Sequence, residues 1–587
     1  MNTKSNTSSV LFDFHLILRI IKLAKPHKAI AFFALFLTVV ATILAPIRPL
    51  LVQYTLDQPI ANKDVDGITT FSLYIFIHLL LNSIVIFGNT YVSNLLGQKV
   101  IEDLRMKVYK HIISMSSRFF DKSKVGMLVT RSVSDVETIS SFFSQGFISI
   151  MGDLAQIVVV LIVMFYSSWQ LTLISLCVLP LLVIASDFFR RGVRASFQTV
   201  RSKVSQMNSF VQEQIVGMEV VQIFGKQNQE FEKFEKINQE HRDANKQSVF
   251  YYAIYFPIVE ILSSLALGMI IFWSVGYPSE ASVGLISAFI LYINLIFRPI
   301  RFIADRFNTM QMGMVSSDRL FELLDDSTEL EKSGEQVLAN ISGSIDFKQV
   351  WFSYNDGVHV LKDVSFHVEP GKSLAIVGAT GAGKSSIISL LTRLYECQKG
   401  DVMIDGVDVK NLDLKSLRKQ VGMVLQDVFL FAGSVTENIN LKNRAISSKH
   451  VEAAAKTVGA FEFIQQLEGG FDYEVMERGV SLSGGQRQLI SFVRAMAADP
   501  KILILDEATS SVDSETEELI QQAIKKLMVN RTSIVVAHRL STIKEADSIL
   551  VIDKGSVVEI GDHNELMAKK GVYFTLFEKQ FELIKST

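Results

Sequence analysis

The sequence predicts an α-helical membrane domain of six spans, with long cytoplasmic helices, followed by an α/β domain. Three observations lead there. Hydrophobic residues make up 49% of the 587 positions, the mean hydropathy is +0.30, and nearly all of that excess precedes about residue 305. Six stretches in that half are long enough to cross a bilayer core, which takes about 20 apolar residues. Beyond Ile345, short β-type apolar runs alternate with helical ones, the pattern of an α/β domain.

The spans fall at 29–52, 68–92, 145–167, 169–188, 250–275 and 281–304. Spans three and four are split only by Ser167, Ser168 and Trp169. Spans five and six are split by Gly276, Tyr277 and Pro278. Each pair is therefore a tight hairpin. The connection after span two carries eight Lys/Arg, including Lys99, Arg105 and Arg131, and the one after span four carries ten, including Arg190, Arg194 and Arg242. The alternate connections carry Lys63 alone. Positive charge stays on the cytoplasmic side, so the N-terminus, both long loops and the C-terminal half are cytoplasmic. The first apolar run is too long for the h-region of a signal peptide. The stretch 14–26 is amphipathic and basic, and reads as an elbow helix lying in the interface.

Both long loops are helix-compatible, so the membrane helices continue into the cytoplasm and turn back there. Gly126, after Phe119-Phe120, and Gly217 stand near the plausible turns. Asp153 and Glu260 fall inside spans. Intramembrane acids are costly and are functional candidates; here they are candidates for a substrate cavity that attracts cations. The many Phe of the spans, such as Phe71, Phe76, Phe87, Phe147, Phe256 and Phe289, suggest an aromatic, apolar pocket.

The two cysteines, Cys177 and Cys397, offer no disulfide framework. A formal net charge of −2 gives no reason to expect nucleic-acid binding. Residues 1–325 thus form the membrane domain, 326–344 a polar, acidic linker, and 345–587 the α/β domain.

That second domain carries Gly378-Ala379-Thr380-Gly381-Ala382-Gly383-Lys384-Ser385 between the strand-like Leu374–Val377 and an apolar helix. Glycines let backbone N–H groups curl around phosphates, and the helix start favours anions. In this pattern Lys384 reaches the β/γ-phosphates and Ser385 ligates Mg²⁺; Ser386 continues the helix start. Ile502–Leu505 followed by Asp506-Glu507 reads as a buried strand that delivers carboxylates at its edge. Asp506 suits Mg²⁺. Glu507 suits a base that polarises water.

Leu482-Ser483-Gly484-Gly485-Gln486 resembles the signature of ATP-binding cassette (ABC) proteins. With the two preceding motifs, the chain resembles, over essentially its whole length, an exporter-type half-transporter of the bacterial multidrug and lipid group. The resemblance implies an α/β P-loop ATPase domain of ABC type. It implies that Tyr354 stacks on adenine, that Gln426 is the Q-loop glutamine and a Mg²⁺ neighbour, and that His538 contacts the γ-phosphate. It implies that Leu482–Gln486 act on a partner's ATP, that Asp513 lies at the dimer interface, and that Glu477, Phe120, Gly126 and Gly217 couple the domains. ATP and Mg²⁺ are the implied cofactors. A second half-transporter, identical or different, is the implied partner. The bacterial inner membrane is the implied location, with the ATPase domain cytoplasmic. Met476, Leu489 and the Ser-Val of Ser510–Asp513 depart from the usual pattern, but no catalytic group is lost. The implied activity is ATP-driven export of amphipathic or hydrophobic compounds, with a lipid or lipid-A flippase as the alternative. An importer or an ATP-gated channel is disfavoured.

Overall fold

The computed structural model describes residues 13–277, 282–327, 331–338, 341–355, 357–506, 514–536 and 540–586. It divides into two compact units. One comprises Met1–Ile113 with Val125–Ser327, the other Ser114–Lys124 with Thr328–Thr587.

Among the described residues of the first unit, six helices are long and apolar enough to cross a membrane: Lys25–Ile60, Val65–Ile113, Val125–Ser167, Trp169–Val216, Gln227–Gly276 and Val283–Asp325. They run from 36 to 50 residues. At about 1.5 Å per residue the longest reaches roughly 75 Å, more than twice the hydrocarbon thickness. Hydropathy marks only the lipid-facing part of each, which is why the sequence bounds are shorter than the helices.

The spans are held by interlocking rather than by polarity alone. Val160, Met164, Leu171, Tyr255, Val259 and Phe289 belong to one buried cluster, and the rings of Phe189 and Tyr255 stack with centroids 4.0 Å apart. Small residues let spans three and six approach: a Cβ on Gly313 would stand 2.6 Å from that of Phe142. This is the usual device of membrane helices, where lipid offers no hydrophobic drive between them. Span three carries two single π-helical turns, Arg131–Asp135 and Phe142–Phe147. The first delivers the buried Asp135 to the Ser316 hydroxyl, which donates to it at 2.9 Å. At the other end of span six, the carboxylate of Asp57 accepts from Ser282 Oγ (2.6 Å) and Gly284 N (2.8 Å). The elbow is a helix, Phe14–Leu23. Its Arg19 forms a bidentate pair with Asp325 at 2.7 and 2.5 Å and lies 4.0 Å from the centre of the Phe321 ring.

Among the described residues the second unit contains twelve strands: β1 Ile345–Phe352, β2 Leu361–Val368, β3 Ser373–Val377, β4 Lys399–Ile404, β5 Val407–Asp408, β6 Val421–Val424, β7 Gly433–Ser434, β8 Glu474–Val475, β9 Ile502–Asp506, β10 Thr532–Val536, β11 Ser548–Asp553 and β12 Ser556–Gly561. They form an antiparallel sheet β2-β1-β4-β5, a six-stranded sheet β12-β11-β3-β10-β9-β6, and the pair β7-β8. All residues of β3 and β10 are buried, as expected of parallel strands covered on both faces.

The stretch expected to be a linker is not free chain where it is described. Gly334 N donates to Leu412 O and Gln336 N to Asn411 O, each at 3.0 Å, and Asp413 N returns a bond to Gln336 O at 2.7 Å. Glycine is required here, since a Cβ on Gly334 would fall 2.2 Å from the Asn411 carbonyl. Polar composition hid this backbone pairing.

Candidate nucleotide site and membrane cavity

β3, β10 and β9 run parallel and in register, with Ile376, Val536 and Asp506 at one level. The C-terminal ends of these strands therefore share one edge of the sheet, the place where open α/β sheets bind ligands. From β3 comes the loop Gly378–Gly383 and then the helix Lys384–Leu391. Gly381 and Gly383 have φ of +82° and +109°, a region that favours glycine. A Cβ on Gly378 would meet the Ile552 carbonyl oxygen at 2.2 Å. Thr380, Gly381 and Ser385 are exposed, while Ala382, Gly383, Lys384 and Ser386 are buried. Lys384 Nζ donates to the carbonyl oxygens of Gly378 (2.7 Å) and Ala379 (3.1 Å). Burial pushes its pKa down, and the charge of Asp506 at the end of β9 opposes that shift. A cation held in a partly dry cradle, beside a carboxylate and a ring of backbone amides, can bind phosphate oxygens.

β6 is the sheet neighbour of β9, with Val424 opposite Leu505. Gln426 leaves that strand exposed. Ser385, Gln426 and Asp506 supply only hard oxygen donors, the set that suits Mg²⁺. Glu507, the Ser510–Asp513 segment and His538 lie outside the described residues. Tyr354 is half-buried. Its hydroxyl is 3.1 Å from Ser386 Oγ, and its ring meets Phe352 and Tyr395 edge-on at 4.7 and 4.9 Å.

The motif Leu482–Gln486 is the start of the helix Gly484–Ala498. Ser483 Oγ accepts from Gln486 N at 3.2 Å, and Gln486 Oε1 accepts from Ser483 N at 2.9 Å. This reciprocal cap fixes the glycine turn. Leu482 is buried and Ser483 exposed. Leu489, where a basic residue was the usual expectation, is 2% exposed and belongs to the core of this half of the unit. Glu477-Arg478-Gly479 form a tight turn in which Arg478 has φ of +59°. It follows β8, whose pairing with β7 ties it to the chain downstream of Gln426.

Sequence reading missed several residues. Arg494 donates from Nε to Asn438 O (2.8 Å) and from Nη2 to Phe429 O (3.3 Å), so it braces the Gln426 segment against the signature helix. A charge inside the run Phe492-Val493-Arg494-Ala495-Met496 was the available signal. Arg494→Ala would orphan those carbonyls. The expected result is a loss of about 2 kcal/mol, seen in calorimetry as a lower unfolding temperature of the ATPase unit.

Tyr395 was also missed. Its hydroxyl donates to Asp121 in the short helix Ser117–Lys122, and burial followed by that bond raises its pKa. Glu331 N donates to Ser114 O at 3.0 Å, a second tie to the same segment. In that helix Phe119 is buried and Phe120 is 41% exposed. The chain turns before Val125, and Gly126 already lies in the next helix with no atom near its Cβ position. At the second turn, Gly217 ends the long helix with φ of −91°, and the left-handed turn residue is Gly225, at +61°. For Tyr395→Phe, loss of about 1 kcal/mol should speed amide exchange in 114–124 by about fivefold, as read by hydrogen–deuterium exchange.

The membrane unit holds a cavity of about 890 Å³ lined by spans one, two, three and six. Asp153 lines it and Glu260 does not. Arg306 bonds the Asp153 carboxylate directly, so this acid is already neutralised by a neighbour. The Glu260 side chain is 72% exposed and lies 3.5 Å from Arg301. Little of the aromatic lining expected from the sequence is found, Phe302 being the one Phe in the wall. None of the six Phe singled out lines the cavity, and Phe289 is fully buried in the helix core. Those six Phe pack elsewhere, and the cavity wall mixes Thr, Asn, Ser and Arg side chains with apolar ones, Phe302 among them.

Comparison with known proteins decides the family. Residues 31–300 match the ABC transporter transmembrane region, and residues 361–510 match the ABC transporter family. An uncharacterized ABC transporter ATP-binding protein of Bacillus subtilis, YknV, is 37% identical over 97% of this chain and 95% of its own length. The chain belongs to the ABC transporter family.

Other relatives of this ABC transporter include ones with multidrug and flippase names. A probable multidrug resistance ABC transporter ATP-binding/permease protein of B. subtilis, YheH, is 37% identical over 84% of this chain and 74% of its own. An ATP-dependent lipid A-core flippase of Methylobacillus flagellatus is 35% identical over 90% and 91%. The protein is thus an exporter-type half-transporter. It is a multi-pass integral membrane protein that hydrolyses ATP, and its half-transporter architecture implies a dimer.

Proposed function

We propose that this ABC transporter is a homodimeric, ATP-driven exporter of amphipathic compounds in a bacterial inner membrane. The observation that carries the reading is that one chain joins the phosphate cradle at Lys384 to a ligand-sized cavity among the spans. In this reading Lys384 and the amides of Gly378–Ser385 hold the phosphates, and Tyr354 flanks the adenine. Ser385, Gln426 and Asp506 hold Mg²⁺, which when bound offsets phosphate charge. Glu507 takes the proton of the attacking water, and His538 steadies the γ-phosphate. The helix start at Ser483-Gly484-Gly485 faces the ATP of the second chain, with Asp513 at the interface. Two nucleotides are then clasped between two chains, and hydrolysis releases the clasp. Phe120, Gly126, Gly217 and Glu477 pass that movement to the spans.

The intact motif set favours two identical chains over a pair with one degenerate site. A lipid flippase is the second reading, favoured by the polar lining of the cavity and by the flippase relatives. The test is ATP-dependent uptake of a fluorescent amphiphile into inside-out vesicles. Uptake by the wild type that vanishes in Lys384→Ala supports the reading. Equal uptake by both contradicts it.

A further inference from the structure

The charges in the membrane cavity do not cancel. Arg48, Arg298 and Arg306 line it, against Asp153 and Asp305. Arg306 is committed to Asp153 and also donates to Ser149 O at 3.1 Å. Arg48 and Arg298 have neither a hydrogen bond nor an ion-pair partner among the described residues. Both residues are exposed, and Arg298 also feels the charge of Asp153; a guanidinium cannot shed its proton, so both keep a positive charge on the cavity wall. Two such groups in one cavity call for an anion that comes and goes.

A second observation marks the same cavity as a ligand site. His78 is 8% exposed and lines the same cavity. Its Nε2 bonds Leu44 O at 3.0 Å, while Nδ1 is buried with no partner. Buried polar atoms are nearly always satisfied, so an atom of this kind at a cavity wall is available to a ligand hydroxyl. The remaining wall is two-sided. Asn82, Asn89 and Asn294 stand for its polar part, and Ile86, Leu295 and Phe302 for its apolar part. That combination holds a head group and the start of a chain. A free inorganic ion would leave the apolar wall without a partner.

We infer that the exported compound is an anionic amphiphile, whose phosphate or carboxylate head is held by Arg48 and Arg298. This rests on the exporter reading and narrows its substrate class. It also reverses the sequence expectation of a cation-attracting cavity.

The test uses the full chain in phosphatidylcholine nanodiscs without nucleotide. Equilibrium binding is measured for dodecyl phosphate, for dodecyltrimethylammonium and for inorganic phosphate as a competitor. Dodecyl phosphate should bind at least tenfold more tightly than the ammonium compound. Inorganic phosphate should fail to displace it at equal concentration. In R48A/R298A the preference for the phosphate should collapse by tenfold or more while ammonium binding persists. Arg298→Lys, which keeps the charge, should hold most of the preference and serves if the double variant does not fold. Equal or tighter binding of the ammonium compound would overturn the inference. So would full displacement by inorganic phosphate, or an unchanged preference in R48A/R298A. ATP hydrolysis is measured in the same nanodiscs. Hydrolysis without charge preference defeats this inference alone, whereas absence of hydrolysis defeats the exporter reading and leaves the binding result to stand by itself.

Discussion

Lys384→Ala is expected to lower kcat/KM for ATP hydrolysis by about a hundred- to a thousandfold, the usual cost of removing one preorganised contact to developing charge. The ammonium of Lys384 is buried, and its two bonds go to the carbonyl oxygens of Gly378 and Ala379 in its own loop. Phosphate oxygens can take the place of those carbonyls with a full negative charge in a site of low dielectric, where ion–ion attraction is much larger than in water. Alanine removes the charge and leaves a void at the base of the loop. Arginine should not rescue, because its planar fork does not fit a cradle shaped for a point charge. The measurement is steady-state phosphate release across ATP concentrations, with nucleotide binding followed separately. A variant that hydrolyses ATP within tenfold of the wild type would contradict the assignment.

Glu507→Gln should have the second large effect, of a different kind. Glu507 follows Asp506, whose strand ends level with the P-loop strand. Glutamine keeps the shape and hydrogen-bonding reach but cannot accept a proton from water. General-base catalysis contributes about 10²–10⁴, so kcat should fall by at least a hundredfold while ATP affinity is kept. Lys384→Ala loses binding, whereas Glu507→Gln retains bound ATP, and that contrast separates the cradle from the base. Retention of nucleotide after gel filtration checks it. If Glu507→Gln lost ATP affinity as Lys384→Ala does, the base assignment would fail.

The sequence made some parts of this molecule legible for physical reasons. A hydrocarbon slab enforces apolar runs, so the six spans could be read. Phosphate binding enforces glycine at positions of positive φ, and Gly381 and Gly383 adopt it. What escaped was set by partners far apart in the chain. Tyr395 and Asp121 are 274 residues apart and meet at the short helix Ser117–Lys122. Gly334 takes its meaning from Asn411. The cavity's character also escaped, because hydropathy averages over a helix while a cavity is lined by one face of several. Asp153 was visible as an acid in a span, but only the fold could pair it with Arg306. Leu489 read as a departure from pattern, and the packing makes it a core residue.

The central claim is that each ATP is clasped by two chains. It is tested by placing one cysteine at Thr380 in one tagged chain and one at Ser483 in another. Cys177 and Cys397 are replaced by serine in both. Thr380 and Ser483 are both exposed. A short bismaleimide should then give an ATP-dependent covalent dimer carrying both tags. No such dimer with ATP present, or a cross-link only within a chain bearing both cysteines, would contradict the claim.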